Sequence, residues 1–411
     1  MTDWETLAKQ LKALGVELGK DRRPSSPRQQ KHPIESVVEG RFLDLSDGQV
    51  FCHEERYPRD YVHGTRGIWP VHPVNTLCRW ANTALLTHTD FKDIIFLDTE
   101  TTGLAGGTGT YAFQIGAARF TDDGFHLAQF FMRHPGEELA LLAGLSTFID
   151  GMQAVVTYNG KAFDLPLLNT RYTLMGLSNP FEGVAHFDLL PLARRLWRIR
   201  LESRTLGNVE NHILGVSRGA DEVPGYLIPE MYFEYLRTSD ARPLGGVFYH
   251  NAVDILSLAG LFSHMAFLLN EPDSEDVQYA EDIVSLGRFF EAMGDHHRAE
   301  ALYKKAMTEK LPAELLQDTR SRLSFLLKRK GDWNAAGALW EQAAQDQELY
   351  AFEELAKYYE HHSRDLEAAH YWASSAKMVL ESSSLSRSER DRWKKSLDHR
   401  LQRLARKMAL S

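Results

Sequence analysis

Two carboxylates directly follow a short apolar run in the first half of the chain. Residues 94–97 predict a buried strand, and Asp98 and Glu100 come immediately after it. Side chains two positions apart in a strand point to the same side, so both carboxylates face one spot at a sheet edge. Anions held that close repel each other unless a cation lies between them, and oxygen ligands suit Mg²⁺ or Mn²⁺. Taken alone, such a pair more often only solvates a strand end or caps a turn.

A third acid lies at another boundary between a strand and a helix. Residues 154–158 predict a buried strand that ends near Asn159, and Asp164 lies in the first turn of the following helix. A carboxylate in that position is stabilised by the helix dipole, which is a sufficient structural explanation. The same position also allows Asp164 to face a metal site at Asp98.

A fourth acid lies within a strongly apolar predicted helix, residues 247–269. His250 and Asp254 are about one helical turn apart and therefore share a face. An unpaired Asp254 would be costly to bury there, so it requires a partner. A metal ion is one such partner, and a contact with an arginine or a helix cap is the structural alternative. His186 and Asp188 form a weaker pair, for which a structural network explains the pattern as well as catalysis does.

These motifs resemble the three exonuclease motifs of the DEDD superfamily, whose members have a ribonuclease H-like fold. The matching residues are Asp98 and Glu100, Asn159 with Phe163 and Asp164, and His250 with Asp254. A closer resemblance is to the YprB-like group of ribonuclease H-like exonucleases, through the segments HFDLLPLARRLW, LESRTLGNVENHILG and DEVPGYLIPEMYFEYL. The similarity covers roughly residues 33–269.

The resemblance implies hydrolysis of phosphodiester bonds, most simply by a 3′–5′ exonuclease that acts on DNA or RNA through a two-metal-ion mechanism. Two Mg²⁺ or Mn²⁺ ions would be held by the four acids Asp98, Glu100, Asp164 and Asp254. His250 would act as general base or orient the attacking water. Thr101, Gly103 and Asn159 would contact the substrate, although loop flexibility and a strand-end contact also explain them. The motifs do not distinguish DNA from RNA, or single strands from duplexes.

The last motif departs from both subtypes of the superfamily. The tyrosine subtype has Tyr four residues before the final Asp, and the histidine subtype has His five residues before it. In this chain His250 lies four residues before Asp254, and Tyr249 lies five residues before it. Because residues four apart share a helix face and Tyr249 is rotated away, helical geometry favours His250 as the general base.

A function of a different class is also open: a catalytically weak or inert nuclease fold that serves as a scaffold for protein–protein interaction. The unusual position of His250 favours this reading. The four retained acids oppose it, because an inert site gains nothing from carboxylates that repel each other. An endonuclease would share the metal chemistry but would need a different spacing of motifs.

The elements around the motifs predict an α/β ribonuclease H-like domain, in which helices flank a mixed sheet. Turn signals at residues 46–48 and 122–124 predict a hairpin before Asp98 and an antiparallel meander after it. The predicted helices cover residues 70–86, 137–152, 162–175, 202–214 and 247–269, with one more that ends at Trp197. A further short strand is predicted near His186.

Beyond residue 272 the predicted structure is entirely helical and repetitive. The segments GDHHRAEALYKKA (294–306), GDWNAAGALWEQA (331–343) and RDLEAAHYWASSA (364–376) align without gaps, with Asp second, Ala sixth and Ala last. They start 37 and 33 residues apart, close to the 34-residue tetratricopeptide period. The pattern resembles a tetratricopeptide-like array, which implies a possible protein partner. Residues 386–407 predict a basic terminal helix that caps the array.

The 411 residues are too many for one core, and the patterns predict three parts. These are an N-terminal helix and basic linker (1–33), a ribonuclease H-like domain with a hairpin extension (34–272), and the helical domain (275–411). A hydrophobic content of 43% and a charged content of 25% are typical of globular proteins. Two cysteines, with no apolar signal core and no run of membrane-spanning length, predict a cytoplasmic protein without a membrane partner. The net charge of −9 provides no global basic surface for nucleic acid.

Overall fold

The computed structural model describes residues 32–46, 48–83, 90–103, 109–383 and 385–410. The predicted N-terminal helix and nearly all of the basic linker lie outside the described residues. So do Asp47 of the hairpin turn and residues 104–108 of the loop that follows the Asp98 strand.

A seven-stranded mixed sheet forms the centre of the first part of the chain. Its strands are β1 (Arg41–Leu45), β2 (Gly48–Pro58), β5 (Ile94–Thr101), β6 (Ala112–Thr121), β7 (Gly124–Phe131), β8 (Ala154–Thr157) and β9 (Ala185–Asp188). Their spatial order is β1-β2-β7-β6-β5-β8-β9, and a separate pair consists of β3 (Val62–His63) and β4 (Arg66–Gly67). Strands β5, β6 and β7 form the predicted antiparallel meander, and β8 pairs in parallel with both β5 and β9. The prediction of a mixed α/β sheet is confirmed.

Seven helices accompany this sheet in the described residues. They are α1 (Asn75–Trp80), α2 (Glu138–Phe148), α3 (Asp164–Leu174), α4 (Leu189–Trp197), α5 (Leu206–Val209), α6 (Ile228–Thr238) and α7 (Leu244–Asn270). Of the predicted helix 70–86, residues 84–86 lie outside the described residues. Among the others only Asn75–Trp80 is helical, and Pro70 and Pro73 explain the late start because they disfavour helical backbone in the residues that precede them. The predicted helix 202–214 is split into α5 and a π-helical turn, Glu210–Leu214. Helix α6 was not predicted, because its Pro- and Gly-rich surroundings hide it.

Helix α7 corrects the expectation that no segment reaches membrane-spanning length. By length and composition alone this helix could cross a membrane, but 83% of its most apolar window is buried inside the protein. The helix contacts four adjacent strands of the sheet, β7, β6, β5 and β8. Its apolar composition is therefore explained by its place in the core.

The second part of the chain consists of seven helices among the described residues. They are α8 (Ala280–Ala292), α9 (His296–Thr308), α10 (Ala313–Lys330), α11 (Trp333–Gln345), α12 (Leu349–Tyr358), α13 (Leu366–Ser382) and α14 (Arg387–Met408). Helix α14 begins with a capping box between Ser386 and Glu389. The prediction of an all-helical region is confirmed, whereas its assignment to the tetratricopeptide class stays a prediction.

The gapless repeat in the sequence has a direct structural cause. The first residue of each copy has a left-handed backbone, with φ of 78° at Gly294, 87° at Gly331 and 60° at Arg364. The second residue, always Asp, caps the next helix by accepting a hydrogen bond from a backbone N–H three residues later. The sixth and last residues are alanines with no exposed surface. Each copy thus begins with a turn and a helix cap and presents small residues for close helix packing.

The helical region shares its core with the ribonuclease H-like region. Helix α8 packs against α4, and Arg200 pairs with Asp282 at 3.0 Å and lies 4.1 Å over the ring of Tyr279. One continuous apolar cluster extends from Phe96 in the sheet to Trp340 in α11. The boundary at residues 272–275 stays a prediction, since the core continues across it.

Candidate active site

Strand β5 directs Asp98 and Glu100 to the side of the sheet that α7 covers. Asp98 lies opposite Gly116 of β6, which in turn lies opposite Gln129 of β7. Helix α7 crosses this row and inserts Asn251 over Gly116, where a β-carbon would lie 2.2 Å from the Asn251 amide oxygen. The glycine therefore allows the helix to approach the strand that carries the acids.

A chain of buried amides fixes the Asp98 side chain. Asn251 donates a hydrogen bond from Nδ2 to Asp98 Oδ2 at 2.8 Å. Gln129 donates to Asn251 Oδ1 at 2.8 Å and to the carbonyl of Phe248 at 2.9 Å. Both amides are fully buried, so these contacts orient Asn251 and, through it, Asp98.

Asp164 joins the cluster from the opposite side of β5. It begins helix α3, and its Oδ1 accepts a hydrogen bond from the Thr99 hydroxyl at 2.5 Å. Thr99 lies between Asp98 and Glu100, so its side chain projects to the other side of the strand. The structure thus brings the third predicted acid to the same end of β5 as the first two.

Asp254 is paired with an arginine that sequence patterns do not identify. Arg218 donates from Nη2 to Asp254, and also forms a two-point contact with Glu210. The Arg218 and Asp254 side chains are each 14% exposed, so the ion pair is largely buried. The structural alternative, an arginine partner for Asp254, is therefore present in the structure.

His250 and Tyr249 point to different surroundings. His250 Nε2 lies 3.6 Å from Asp254 Oδ2, and His250 Nδ1 lies 2.7 Å from Glu222 Oε1. Tyr249 instead accepts a hydrogen bond from the backbone N–H of Gly219 at 2.9 Å and lines a separate cavity of about 520 Å³. The helix therefore places His250, and not Tyr249, beside the acid cluster.

The acids are close enough to change one another's protonation. Burial, followed by the charges of Asp254, Glu100 and Asp164, raises the pKa of Asp98 well above its usual value. Burial and the charges of Asp254 and Asp164 raise the pKa of Glu100 to about 8, although His250 and Arg218 act in the opposite direction. Burial raises the pKa of Asp164 to about 6 against the hydrogen bond from Thr99. The four predicted acids thus form one electrostatically coupled cluster.

The histidine beside the cluster is shifted in the direction that favours its charged form. Burial alone would lower the pKa of His250. The carboxylates of Asp254, Glu100 and Glu222 outweigh that effect and raise it. His250 therefore binds a proton more readily than an isolated histidine does.

The chemistry of the cluster fits a hard divalent cation, because its donors are carboxylate oxygens whose repulsion a cation would relieve. In the described ranges, no three His, Cys, Asp or Glu side chains are placed to hold a metal ion as they stand. The reason is visible in the contacts: Asp98, Asp164 and Asp254 are each turned toward a different donor. Holding an ion would require the Asp254 carboxylate to share or leave its contact with Arg218.

A cavity of about 460 Å³ opens beside Asp98 and Asp164. The three predicted substrate-binding residues, Thr101, Gly103 and Asn159, all line it. Thr101 donates from its hydroxyl to the carbonyl of Gly103 at 3.1 Å, and Asn159 has a left-handed backbone with φ of 67°. Phe163, 51% exposed, adds an aromatic ring to the cavity wall.

His186 and Asp188 were the weaker predicted pair, and both have structural contacts, although the charge of Asp188 also helps to raise the pKa of Asp164. Asp188 accepts hydrogen bonds from the backbone N–H groups of Asn159, Lys161 and Leu190, at 2.7, 3.1 and 3.1 Å. His186 contacts the Thr157 hydroxyl at 2.8 Å, and burial lowers its pKa to about 4. Asp188 thereby caps α4 and anchors the loop that carries Asn159.

Sequence patterns missed Asn251, Arg218 and Glu222. Asn251 was accessible in principle, because it follows His250 directly and is a polar residue in an apolar helix. Arg218 and Glu222 lie in the Pro- and Gly-rich segment between α5 and α6. This segment has no regular spacing of apolar residues from which side-chain directions could be predicted. Only the fold brings that segment to α7.

Comparison with known proteins identifies the class to which this fold belongs. A family model described as the ribonuclease H superfamily matches residues 95–266, from β5 through most of α7. Among individual proteins, YprB of Bacillus subtilis (strain 168) is 34% identical over 336 residues, which cover 78% of each chain. The chain therefore belongs to the YprB-like family of the ribonuclease H superfamily. Because 78% of the chain exceeds the length of residues 1–272, the similarity extends into the helical region.

One solved structure with partial similarity is the family B DNA polymerase from the hyperthermophilic archaeon Pyrobaculum calidifontis. The match covers 51% of this chain and 28% of the polymerase, with 16% identity and a TM-score of 0.35. The family assignment rests on the sequence relative and the family model, and not on this match.

Proposed function

We propose that this protein is a divalent-metal-dependent 3′–5′ exonuclease that hydrolyses phosphodiester bonds in DNA or RNA. The observation that carries the proposal is the electrostatic coupling of four carboxylates, from β5, α3 and α7, at one end of the sheet. Membership of the ribonuclease H superfamily supports nuclease chemistry at this place. A site without catalytic use would gain nothing from carboxylates that repel one another.

The four acids would hold Mg²⁺ or Mn²⁺, which when bound would offset their charge and the charge developing on the phosphate. Asn251 keeps Asp98 in one orientation, and Thr99 does the same for Asp164. His250 accepts a proton from the attacking water at Nε2, the ring nitrogen nearer Asp254.

Two adjacent cavities give the nucleic acid a path. The cavity beside Asp98 shares Tyr158 and Asn159 with a second one of about 500 Å³, which is also lined by Arg194. Phe163 offers a ring on which a terminal base can stack, and the exposed Arg194 offers a charge for a backbone phosphate. These features favour a flexible strand end as substrate.

The proposal is tested with 5′-labelled and 3′-labelled DNA and RNA oligonucleotides incubated with Mn²⁺ or Mg²⁺. We expect a shortening ladder from the 5′ label and immediate release of a labelled mononucleotide from the 3′ label. Asp98→Ala should abolish cleavage and weaken Mn²⁺ binding in calorimetry, because it removes a ligand. Asp122→Ala, in an exposed turn, is the matched control.

Other outcomes would identify the alternatives. Internal cuts would indicate an endonuclease. Failure to cleave any of these substrates, by a folded protein, would favour the inert scaffold that recruits a protein. The protein partner implied by the tetratricopeptide-like repeats stays a prediction in either case.

A further inference from the structure

We propose that Glu222 is a positioning residue, which holds the His250 imidazole so that its Nε2 lone pair faces the acid cluster. The inference rests on the proposed role of His250 as general base and deepens it. It concerns a carboxylate outside the four predicted metal ligands, on a segment between α5 and α6 to which the motifs assign no role.

The His250 ring lies between two carboxylates from different elements. Its Nδ1 is 2.7 Å from Glu222 Oε1, and its Nε2 is 3.6 Å from Asp254 Oδ2. The ring is partly buried, with 16% of the side chain exposed. Its orientation is therefore set by protein contacts and not by solvent.

The contacts select one tautomer. An ionised carboxylate only accepts hydrogen bonds, so the short contact requires a proton on Nδ1 of His250. Arg218 Nη1 also lies 3.2 Å from the same nitrogen and donates at 2.9 Å to Glu222 Oε1, but the contact of Nδ1 with Glu222 is shorter, at 2.7 Å, and only a protonated Nδ1 can make it. With Nδ1 protonated, the neutral ring carries its lone pair on Nε2, on the side of Asp254. That is the form in which a histidine accepts a proton from a water at the cluster.

The fold brings Glu222 to His250 by a close approach of chain segments. The backbone of Glu222 donates to the carbonyl of Gly219 at 3.3 Å, which closes a turn. The segment then passes over Gly246 of α7, one turn before His250. A β-carbon at Gly246 would lie 2.5 Å from the Val223 side chain and 2.9 Å from the Asp221 carbonyl. The glycine thus permits the packing that places the Glu222 carboxylate against the ring.

Partial burial of the Glu222 carboxylate costs free energy. Glu222 Oε2 is buried and has no hydrogen-bond partner within the described residues. The side chain is 25% exposed, so the contacts of Oε1 with His250 and Arg218 compensate for a partial desolvation of the carboxylate. Arg218 already has a carboxylate partner in Glu210 and does not need Glu222 for its ion pair. The contact that only Glu222 provides is therefore the one to Nδ1 of His250.

The test compares Glu222→Ala, Glu222→Gln and His250→Ala with Asp221→Asn, a neighbouring exposed acid, as control. Removing a residue that orients a functional histidine costs about 10–100-fold. We expect Glu222→Ala to lower kcat by that factor, while KM and Mn²⁺ affinity stay unchanged. Glu222→Gln should retain more activity, since its amide oxygen still accepts from Nδ1. Asp221→Asn should behave like the wild type.

A second measurement does not depend on activity. In metal-free protein with ¹⁵N-labelled histidine, recorded at a pH high enough to keep the His250 ring neutral, the His250 signals are identified by their loss in His250→Ala. We expect the Nδ1–H tautomer in the wild type and its loss in Glu222→Ala. A wild-type proton on Nε2, or an unchanged kcat in folded Glu222→Ala, would overturn the proposal. Absence of nuclease activity in the wild type would instead overturn the proposed function, and the tautomer would still test Glu222.

Discussion

At the scale of single residues, the positive charges around the acid cluster do not balance the negative charge of its carboxylates. Glu100 shows this most clearly, because burial and its acidic neighbours raise its pKa to about 8. A carboxyl group with a higher pKa in the folded protein binds more protons when folded than when unfolded. The free energy of unfolding therefore falls as pH rises from about 4.5, the usual pKa, to about 8.

Glu100→Gln should consequently stabilise the protein at pH 8 in the absence of divalent ions. One pKa unit corresponds to about 1.4 kcal/mol, so a gain on the order of a few kcal/mol is expected, which shrinks toward pH 4.5. Thermal unfolding at pH 5 and pH 8 measures it, with the exposed Glu230→Gln as control. Mn²⁺ should raise the Tm of the wild type more than that of Glu100→Gln. Equal Tm values for the two proteins at pH 8 would contradict the assigned shift.

Periodicity pointed to four of the five residues because it fixes the direction of their side chains, whereas Asp164 was predicted from its place at the start of a helix and from the resemblance to the exonuclease motifs. Asp98 and Glu100 follow a strand, and His250 and Asp254 are one helical turn apart. Sequence could not show that Arg218 already pairs with Asp254, because that contact joins an irregular segment to a helix 36 residues away. For the same reason, the sequence did not reveal the contact between Glu222 and His250.

At the scale of elements, the site depends on how closely α7 approaches β6. Gly116 is the point of contact, and its missing side chain leaves the space that Asn251 occupies. The sequence predicted a meander strand before residue 122 and a helix over 247–269, which the structure shows as Ala112–Thr121 and Leu244–Asn270, but it did not predict this contact. A glycine in a strand has several explanations, and only the crossing of the helix decides among them.

Gly116→Ala should displace Asn251 and release the Asp98 side chain. Overpacking a buried contact of this kind typically costs about 1–3 kcal/mol, and activity should fall as well. Gly67→Ala, where an added β-carbon meets nothing within 4 Å, is the control. Unfolding and turnover are measured for both.

A double-mutant cycle separates the two effects of Gly116→Ala. In an Asn251→Ala background the clash is removed, so Gly116→Ala should cost much less stability. The same cost in both backgrounds would show that Asn251 is not the obstructing group.

At the scale of the whole molecule, the repeats and the nuclease-like region are joined through a common core. Beyond residue 272 the sequence predicts helices only, which suggests a domain boundary. No pattern in the sequence reveals that α8 packs on α4. Arg200 and Asp282 form a largely buried ion pair across it, with side chains 15% and 11% exposed. The sequence pattern therefore changes near residue 272, although the packed core continues across that point.

Two truncated proteins test what the helical region contributes. A fragment that ends at Pro272 should fold with a lower Tm than one that ends at Met293, because only the longer fragment keeps α8 on α4. Both should retain cleavage of short oligonucleotides, since the acid cluster and His250 all precede residue 272. A folded but inactive longer fragment would show that the later helices take part in the site.

Asp98 and Asn251 lie on core elements, so substitutions near them are constrained by packing more strongly than substitutions in the exposed wall of the cavity. Three of the four acids, Asp98, Glu100 and Asp254, lie in the core elements β5 and α7. The walls of the adjoining cavity come in part from connecting segments around Gly103 and Phe163. Under the proposed function, substitutions in these connecting segments should change which strand ends the cavity binds and leave the acids in place.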